Sequence, residues 1–167
     1  MRFMEIRKTQ MTDLEDIMRI YEYARRFMEK TGNPTQWERG YPSRELLTDD
    51  IENGKSYVCT DENGKIQAVF MFTTDVQPEY RALVGKPWLN RRPYGTVHRL
   101  AGSGEVKGVS EYCLDFCKTL CGDIRGDTHP DNKVMQRVFE KNGFVRCGII
   151  RLTDDTPRIA YHYTKKD

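Results

Sequence analysis

One short run of small residues, followed by a predicted helix, has the composition of an anion-binding segment. Gly102-Ser103-Gly104 follows an apolar stretch, and the pattern predicts a helix from about Lys107 to Cys121. The first N–H groups of a helix lack partners within it, and the helix dipole adds positive charge there. Small residues let an anion approach these donors closely. The segment predicts a diphosphate held by the main-chain amides of residues 107–110. A plain strand-to-helix turn is the alternative.

Two common nucleotide-binding motifs are excluded for this segment by its sequence. It contains no Gly-Lys-Ser/Thr, so it is not a P-loop, and it contains no G-x-G-x-x-G dinucleotide fingerprint. The side chain of Lys107 is positioned to add one positive charge to the amides.

The elements that position this segment follow from hydrophobic periodicity and turn residues. Strands are predicted at residues 3–8, 56–60, 65–74, 95–102, 123–128, 144–152 and 158–163. Helices are predicted after a capping box at Thr12 and a cap at Ser43, and at residues 107–121 and 130–142, the last ending at Gly143. Residues 75–93 are expected to form a long ordered loop, with a short strand as a further option. The strand–helix–strand unit implies one parallel pair, and the hairpins imply antiparallel pairs, so we expect a mixed α/β (α+β) sheet with helices on both faces.

Length and charge narrow the function classes. The 167 residues suit a single domain, residues 1–167, and the net charge of +2 is too small to indicate a nucleic-acid or membrane-surface partner. The N-terminal residues do not resemble a signal peptide, so a cytoplasmic location is expected. The five cysteines include no CxxC pair, and we expect no metal site. Cys113, Cys117 and Cys121 form a helical stripe, for which buried packing is expected and thiolate metal binding is the alternative.

Two motifs resemble the GNAT (GCN5-related) N-acetyltransferase family. Residues 105–110, Glu-Val-Lys-Gly-Val-Ser, resemble the family's Q/R-x-x-G-x-G/A loop. Residues 131–144, from Asp131-Asn132 to Gly143-Phe144, resemble its N-x-x-A/M-x-x-x-Y-x-x-x-G-F segment. A His-Arg-Leu-Ala strand at 98–101 and an Asp-Thr-His-Pro-Asp-Asn turn at 127–132 add to the likeness. The resemblance covers nearly the whole chain and implies the GNAT fold, with a mostly antiparallel sheet of about seven strands.

The resemblance also implies an activity, the transfer of acetyl from acetyl-CoA to a primary amine by direct attack in a ternary complex. The two central parallel strands splay apart in the family, and pantetheine lies along the first of them. The residues that this implies for acetyl-CoA binding are Leu100, Ala101, Gly102, Lys107, Gly108, Val109, Ser110 and Asn132. A main-chain donor exposed by the splay is expected to stabilise the thioester oxyanion. Dimers are common among relatives, so a homodimer is one expected state.

Three positions depart from the family pattern. Glu105 and Ser110 replace the usual first and last residues of the loop, and Phe139 stands where many members have the Tyr that protonates the leaving thiolate. A non-catalytic CoA-binding or interaction module on the GNAT fold is therefore the alternative function. Tyr94, Tyr112 or a water molecule are the candidate replacements for the proton donor.

Candidate residues for the chemistry and the acceptor complete the prediction. His98 is the candidate general base because a histidine titrates near neutral pH, and His129 is a second candidate. Residues of the irregular segments that the resemblance places near the acceptor are Trp37, Tyr41, Tyr80 and Trp88, with Glu38 and Glu79 as candidates for binding an amine. The alternative is that these side chains pack the loops or lie in solvent. We expect the acceptor to be a small-molecule amine, with a protein N-terminus as the other option.

Overall fold

The computed structural model describes residues 4–38 and 40–166. In these residues seven strands and four α-helices follow one another along the chain. The strands are β1 (Glu5–Lys8), β2 (Ser56–Thr60), β3 (Ile66–Thr73), β4 (Gly95–Gly102), β5 (Asp123–Thr128), β6 (Val145–Arg151) and β7 (Pro157–Thr164). The helices are α1 (Leu14–Lys30), α2 (Arg44–Glu52), α3 (Val109–Leu120) and α4 (Lys133–Lys141). Phe3, the predicted start of the first strand, lies outside the described residues.

The strands form one mixed sheet in the order β1-β2-β3-β4-β5-β7-β6. Five neighbouring pairs are antiparallel, and β4 and β5 form the parallel pair. The mixed, mostly antiparallel sheet is therefore confirmed. The β4–β5 ladder contains only Gly95 opposite Ile124 and Thr96 opposite Arg125, and beyond it the two strands diverge.

Helices cover both faces of the sheet because side chains alternate along its central strands. On one face Phe70 of β3 packs in a cluster with Cys113 and Cys117 of α3. On the other face Val69 of β3 packs in a cluster with Ile17 of α1. The buried cysteines lie in an apolar core, as expected for small hydrophobic side chains. In the described part of the chain, no helix is long and apolar enough to cross a membrane.

Three of the four helices begin a few residues later than the sequence pattern predicted. Thr12 lies inside a 3₁₀ turn (Met11–Asp13), and the capping contact comes from Asp13, whose carboxylate accepts from the Gln10 N–H at 2.7 Å. The third predicted helix begins at Val109 rather than Lys107. The fourth begins at Lys133 rather than Pro130, because Asn132 caps it and accepts from the Met135 N–H at 2.9 Å.

The long segment after β3 is ordered, as expected, but contains no strand among its described residues. It holds a 3₁₀ helix (Pro78–Ala82) and a single antiparallel bridge between Val84 and Ile149. This segment contacts β5, β6 and β7 through Asn90, Val84 and Leu89, and it contributes Gln77 and Glu79 to the cavity described below.

Candidate active site

A backbone irregularity in β4 lies just beyond the point where β4 and β5 separate. The β3–β4 register shifts between the pairs Val69–Ala101 and Met71–His98, and Arg99 between them has φ 54°. A left-handed arginine is unfavourable, so surrounding contacts must hold it. The Tyr21 hydroxyl of α1 donates to the Arg99 carbonyl at 2.7 Å. This contact holds the bulge three residues beyond Thr96, the last β4 residue that pairs with β5.

The Arg99 side chain is held by a carboxylate of α2. Its Nε donates to Asp50 Oδ2 at 3.2 Å, and its Nη2 donates to both oxygens at 2.7 and 2.9 Å. The Asp50 side chain is 8% exposed, so this charge pair is shielded from solvent. The pair neutralises Arg99 and ties the bulged strand to the helix above it.

A cavity of about 380 Å³ lies between the end of β4 and the amino end of α3. No main-chain N–H of residues 107–111 donates to another described residue. Gly108 precedes the helix with φ +77°, and nothing lies within 4 Å of the point where a Cβ would stand. The turn is therefore open to an anion, and its own side chains do not close it.

Most of the residues predicted to bind the cofactor line this cavity. They are Leu100, Ala101, Gly102, Gly108, Val109, Ser110 and Asn132. Lys107 is exposed and lies outside the cavity lining. The Asn132 side chain also makes structural contacts, since it caps α4 and its Nδ2 donates to Gln36 Oε1 at 2.9 Å.

Glu105, the acidic residue in the loop, points away from this cavity. Its carboxylate pairs with Lys65 at 2.9 Å, and the pKa of Glu105 is lowered by that lysine. Its N–H donates to Ser103 Oγ at 3.1 Å. The negative charge at this position is thus countered on the outer side of the loop.

A second cavity of about 490 Å³ lies on the β5 and β7 side of the splay. Trp37 and Tyr41, two of the predicted acceptor residues, line it. Tyr80, Trp88 and Tyr94 form an aromatic cluster behind it, in which Tyr80 lies 5.0 Å from Trp88 and 6.3 Å from Tyr94 between ring centroids. These three residues support the cavity wall from behind.

The two cavities meet at one place. Met28, Leu100, Asn132 and Met135 line both of them. A molecule in the first cavity and a molecule in the second would come into contact there. This junction is the candidate reaction centre.

His98 lines the second cavity, and its neighbours determine its tautomer. Gln77 Nε2 donates to Asp75 O at 3.0 Å, so Gln77 Oε1 faces His98 Nε2 at 3.0 Å. His98 Nε2 must therefore carry the proton, which leaves Nδ1 as the basic nitrogen. Burial lowers the pKa of His98. The ring is consequently neutral near pH 7 and able to accept a proton.

Tyr94 contacts the same glutamine from the other side. Its hydroxyl oxygen accepts from the Gln77 N–H at 3.2 Å. Tyr94 therefore helps to position Gln77, and it contacts His98 only indirectly, through that glutamine.

Other predicted acid–base residues have structural contacts. The Tyr112 hydroxyl donates to Met4 O at 2.6 Å, on the far side of α3. His129 Nδ1 accepts from the Asp131 N–H at 3.0 Å, and burial lowers the pKa of His129. Phe139 is 2% exposed and stacks on Tyr161 with ring centroids 4.9 Å apart.

Four carboxylates and two arginines line the second cavity. The carboxylates are Glu38, Glu79, Asp127 and Asp154, and the arginines are Arg99 and Arg158. Asp127 accepts a hydrogen bond from the Tyr80 hydroxyl at 2.6 Å. In the described chain, no three His, Cys, Asp or Glu side chains are grouped as metal ligands.

Three residues that line the second cavity were not predicted from the sequence: Gln77, Asp127 and Arg158. Asp127 had an available signal, because it stands near the carboxyl end of a predicted parallel strand, where open sheets place ligands. Gln77 and Arg158 had none, since each belongs to a segment whose position in space depends on the folded sheet.

Comparison with known proteins agrees with this geometry. No family model matches the sequence, and comparison with curated proteins gives no significant match. A GNAT-family acetyltransferase structure from Streptococcus agalactiae 2603 is 32% identical, with 98% of this chain and 96% of that chain covered and a TM-score of 0.90. A GNAT-family acetyltransferase from Listeria monocytogenes 4b F2365 is 17% identical, covering 96% and 94%, with a TM-score of 0.70.

A third structure shares the fold alone. The ribosomal-protein-S18-alanine N-acetyltransferase from Escherichia coli is 14% identical, with 99% of this chain and 96% of that chain covered and a TM-score of 0.63. The near-complete match at 32% identity agrees with the seven-stranded sheet and the splayed β4–β5 pair of this chain. The chain belongs to the GNAT family of acetyltransferases.

Proposed function

We propose that residues 1–167 form one domain that transfers acetyl from acetyl-CoA to the primary amine of a small molecule. The observation that carries this proposal is the meeting of two cavities at Met28, Leu100, Asn132 and Met135, beside the splayed strands. One cavity has free main-chain donors, and the other has a neutral histidine and several carboxylates. Direct transfer requires two such sites that share one point.

The first cavity has the chemistry that coenzyme A requires. Its diphosphate would bind the main-chain amides of residues 107–111, which lie at the amino-terminal end of the 12-residue helix α3. The pantetheine arm would lie along Leu100–Gly102, where β4 has left β5. Acetyl-CoA supplies the thioester that the amine attacks.

The second cavity would bind and deprotonate the acceptor. Asp127 and Glu79 attract an ammonium group into the cavity. His98 Nδ1 takes one proton from the ammonium group, because Gln77 holds the ring with Nε2 protonated, and the neutral amine that results has the lone pair needed for attack. The nitrogen forms the new C–N bond, the C–S bond breaks, and its electron pair leaves on sulfur. The nitrogen loses its second proton to solvent, and His98 also releases its proton to solvent, so the products are the acetamide and free coenzyme A.

The reaction does not depend on the tyrosine that Phe139 replaces. A thiol has a pKa of about 8.5, so a thiolate is a tolerable leaving group near neutrality. Loss of a general acid costs roughly 10²- to 10⁴-fold in rate. We therefore expect slow but measurable turnover, with water as the source of any proton that the sulfur receives.

A small acceptor is favoured by the size and walls of the second cavity. A volume of about 490 Å³, bounded by Trp37 and Tyr41, suits a molecule of metabolite size. Family membership does not decide this point, since the E. coli neighbour is named for a ribosomal-protein alanine.

Two measurements test the proposal. Calorimetric titration with acetyl-CoA should give saturable 1:1 binding, and thiol release with an amine panel should give acetyl-CoA-dependent product that mass spectrometry identifies. His98→Gln should lower kcat by about 10²- to 10⁴-fold while leaving the acetyl-CoA Kd unchanged. Tight acetyl-CoA binding without turnover on any amine would favour the non-catalytic module instead. Absence of acetyl-CoA binding would refute both functions.

A further inference from the structure

A buried guanidinium on the wall of the acceptor cavity has donors that the protein does not use. Arg158, at the start of β7, is 6% exposed and lines this cavity. Its Nη1 donates to Thr156 Oγ1 at 3.3 Å and Pro157 O at 2.8 Å, and its Nη2 donates to Gln36 O at 3.3 Å. A guanidinium has five N–H groups. Its Nε–H and one Nη2–H are thus left without an acceptor among the described residues.

The charge of Arg158 also lacks a direct partner. All three of its hydrogen-bond acceptors are neutral oxygens, and no ion pair within the described residues includes it. Burial lowers the pKa of Arg158. The charges of Asp127 and Asp154 raise this pKa against the effect of burial, but neither carboxylate lies within ion-pair distance of Arg158. A bound group with the opposite charge would therefore stabilise the buried guanidinium further.

Arg99, in the same cavity, shows what the unused donors of Arg158 can bind. Arg99 uses Nε and Nη2 to grip the carboxylate of Asp50. Arg158 has those same two nitrogens available on the cavity wall. A planar fork of this kind matches the geometry of a carboxylate.

The opposite charge occurs elsewhere in the cavity. Glu79 and Asp127 line it together with His98. The charge of Asp127 raises the pKa of both His98 and Arg158 against the effect of burial, so it acts on both residues. The cavity therefore has a cationic position at Arg158 and an anionic position beside the candidate base.

We propose that the acceptor is an amino acid, whose carboxylate binds the Nε and Nη2 of Arg158 and whose amine faces Asp127 and His98. This inference rests on the proposed acetyl transfer and names the substrate class for it. Arg158 then selects the acceptor by its carboxylate, and His98, on the wall of the same cavity, takes a proton from the ammonium group.

The test uses matched acceptors and the full-length protein. The common L-amino acids are assayed for thiol release with acetyl-CoA, and the best acceptor is compared with its α-amide and with its decarboxylated amine. We expect kcat/KM to be at least about 100-fold lower for both analogues, because neither has the carboxylate that would pair with the Arg158 guanidinium. Arg158→Gln should reduce this preference to within about fivefold, and Arg158→Lys should give an intermediate preference.

Controls separate folding from recognition. Arg137→Gln, an exposed arginine on α4, should keep the wild-type preference. Acetyl-CoA affinity measured by calorimetry should be the same in the Arg158 variants, which shows that the other cavity is intact. A kcat/KM for the amide or the decarboxylated amine equal to that of the amino acid, or a preference unchanged in Arg158→Gln, would overturn the inference while the transfer reaction stands.

Failure of the proposed function gives a different result. If no acceptor is turned over, calorimetric titration of the amino acids into the protein with coenzyme A tests the carboxylate site alone. Binding that Arg158→Gln abolishes would retain the site and reject the transfer. Absence of both amino-acid binding and amino-acid turnover would overturn the inference, and the amine panel with acetyl-CoA then decides the transfer reaction separately.

Discussion

Gly108→Glu is the substitution that most directly tests the anion site. Gly108 has φ +77°, which costs an L-residue about 1–2 kcal/mol, and open space surrounds its Cβ position. A glutamate therefore fits sterically and places a carboxylate beside the amides that would hold the diphosphate. At about 5 Å and an effective dielectric of about 20, two like charges repel by roughly 3 kcal/mol. Solvent screening at this exposed turn lowers that repulsion by about half.

The expected result is a large and selective loss of cofactor affinity. Repulsion from two phosphates still sums to about 3 kcal/mol, so the acetyl-CoA Kd measured by calorimetry should rise about 100-fold. Gly108→Ala has the same backbone strain without the charge, and its Kd should stay within about fivefold of wild type. The two variants should lose similar stability in thermal unfolding. Equal affinities for Gly108→Glu and Gly108→Ala would refute the placement of the diphosphate.

Three further predictions concern charge and protonation. Burial lowers the pKa of His98, so kcat in the thiol-release assay should fall only when the pH drops below 6.5. His98→Gln should remove this fall in kcat at low pH, and a fall that persists in the variant would contradict the assignment of His98 as the base. Asp50→Asn leaves the Arg99 charge buried and unpaired, so urea denaturation should show about 3 kcal/mol less stability, and a change under 1 kcal/mol would contradict the pairing. Burial also lowers the pKa of His162, so the unfolded state takes up that proton first and unfolding free energy should fall as pH drops below 6.5. His162→Gln should reduce the dependence of the unfolding free energy on pH between pH 6.5 and 5. The lowered pKa of Asp123 changes the unfolding free energy only as the pH falls below 3.8, the ordinary pKa of an aspartate. An unchanged pH dependence in His162→Gln would contradict the argument.

The sequence predicted the sheet well because its signals are local. The hairpin at Asp61–Gly64 and the strand Gly95–Gly102 agree with the structure, since turn residues and apolar runs mark their ends. Helix starts were less accurate, because a cap depends on which side chain reaches a free N–H. Asp13 and Asn132 provide those contacts, and the spacing of residue types favoured Thr12 and Pro130 instead.

The site was only partly predictable, for a related reason. The turn proposed to bind the diphosphate is a local feature, and most of the residues predicted to bind the cofactor line the cavity beside it. The acceptor cavity is assembled from segments far apart in the chain. Arg158 donates to the carbonyl of Gln36, 122 residues away, and Gln77 reaches His98 across the loop. Composition and periodicity carry no information about such contacts.

The β4 irregularity links the two cavities mechanically. Arg99, in its left-handed conformation, separates His98, which lines the acceptor cavity, from Ala101, which lines the cofactor cavity. The bulge is held by Tyr21 at its carbonyl and by Asp50 at its guanidinium, so both α1 and α2 fix it. The ladder with β5 ends at Thr96, three residues before Arg99, so the bulge lies in the stretch where β4 is unpaired with β5. If the proposed function holds, both ligands meet beside this bulge, and we expect the contacts that hold it to affect catalysis without touching either ligand.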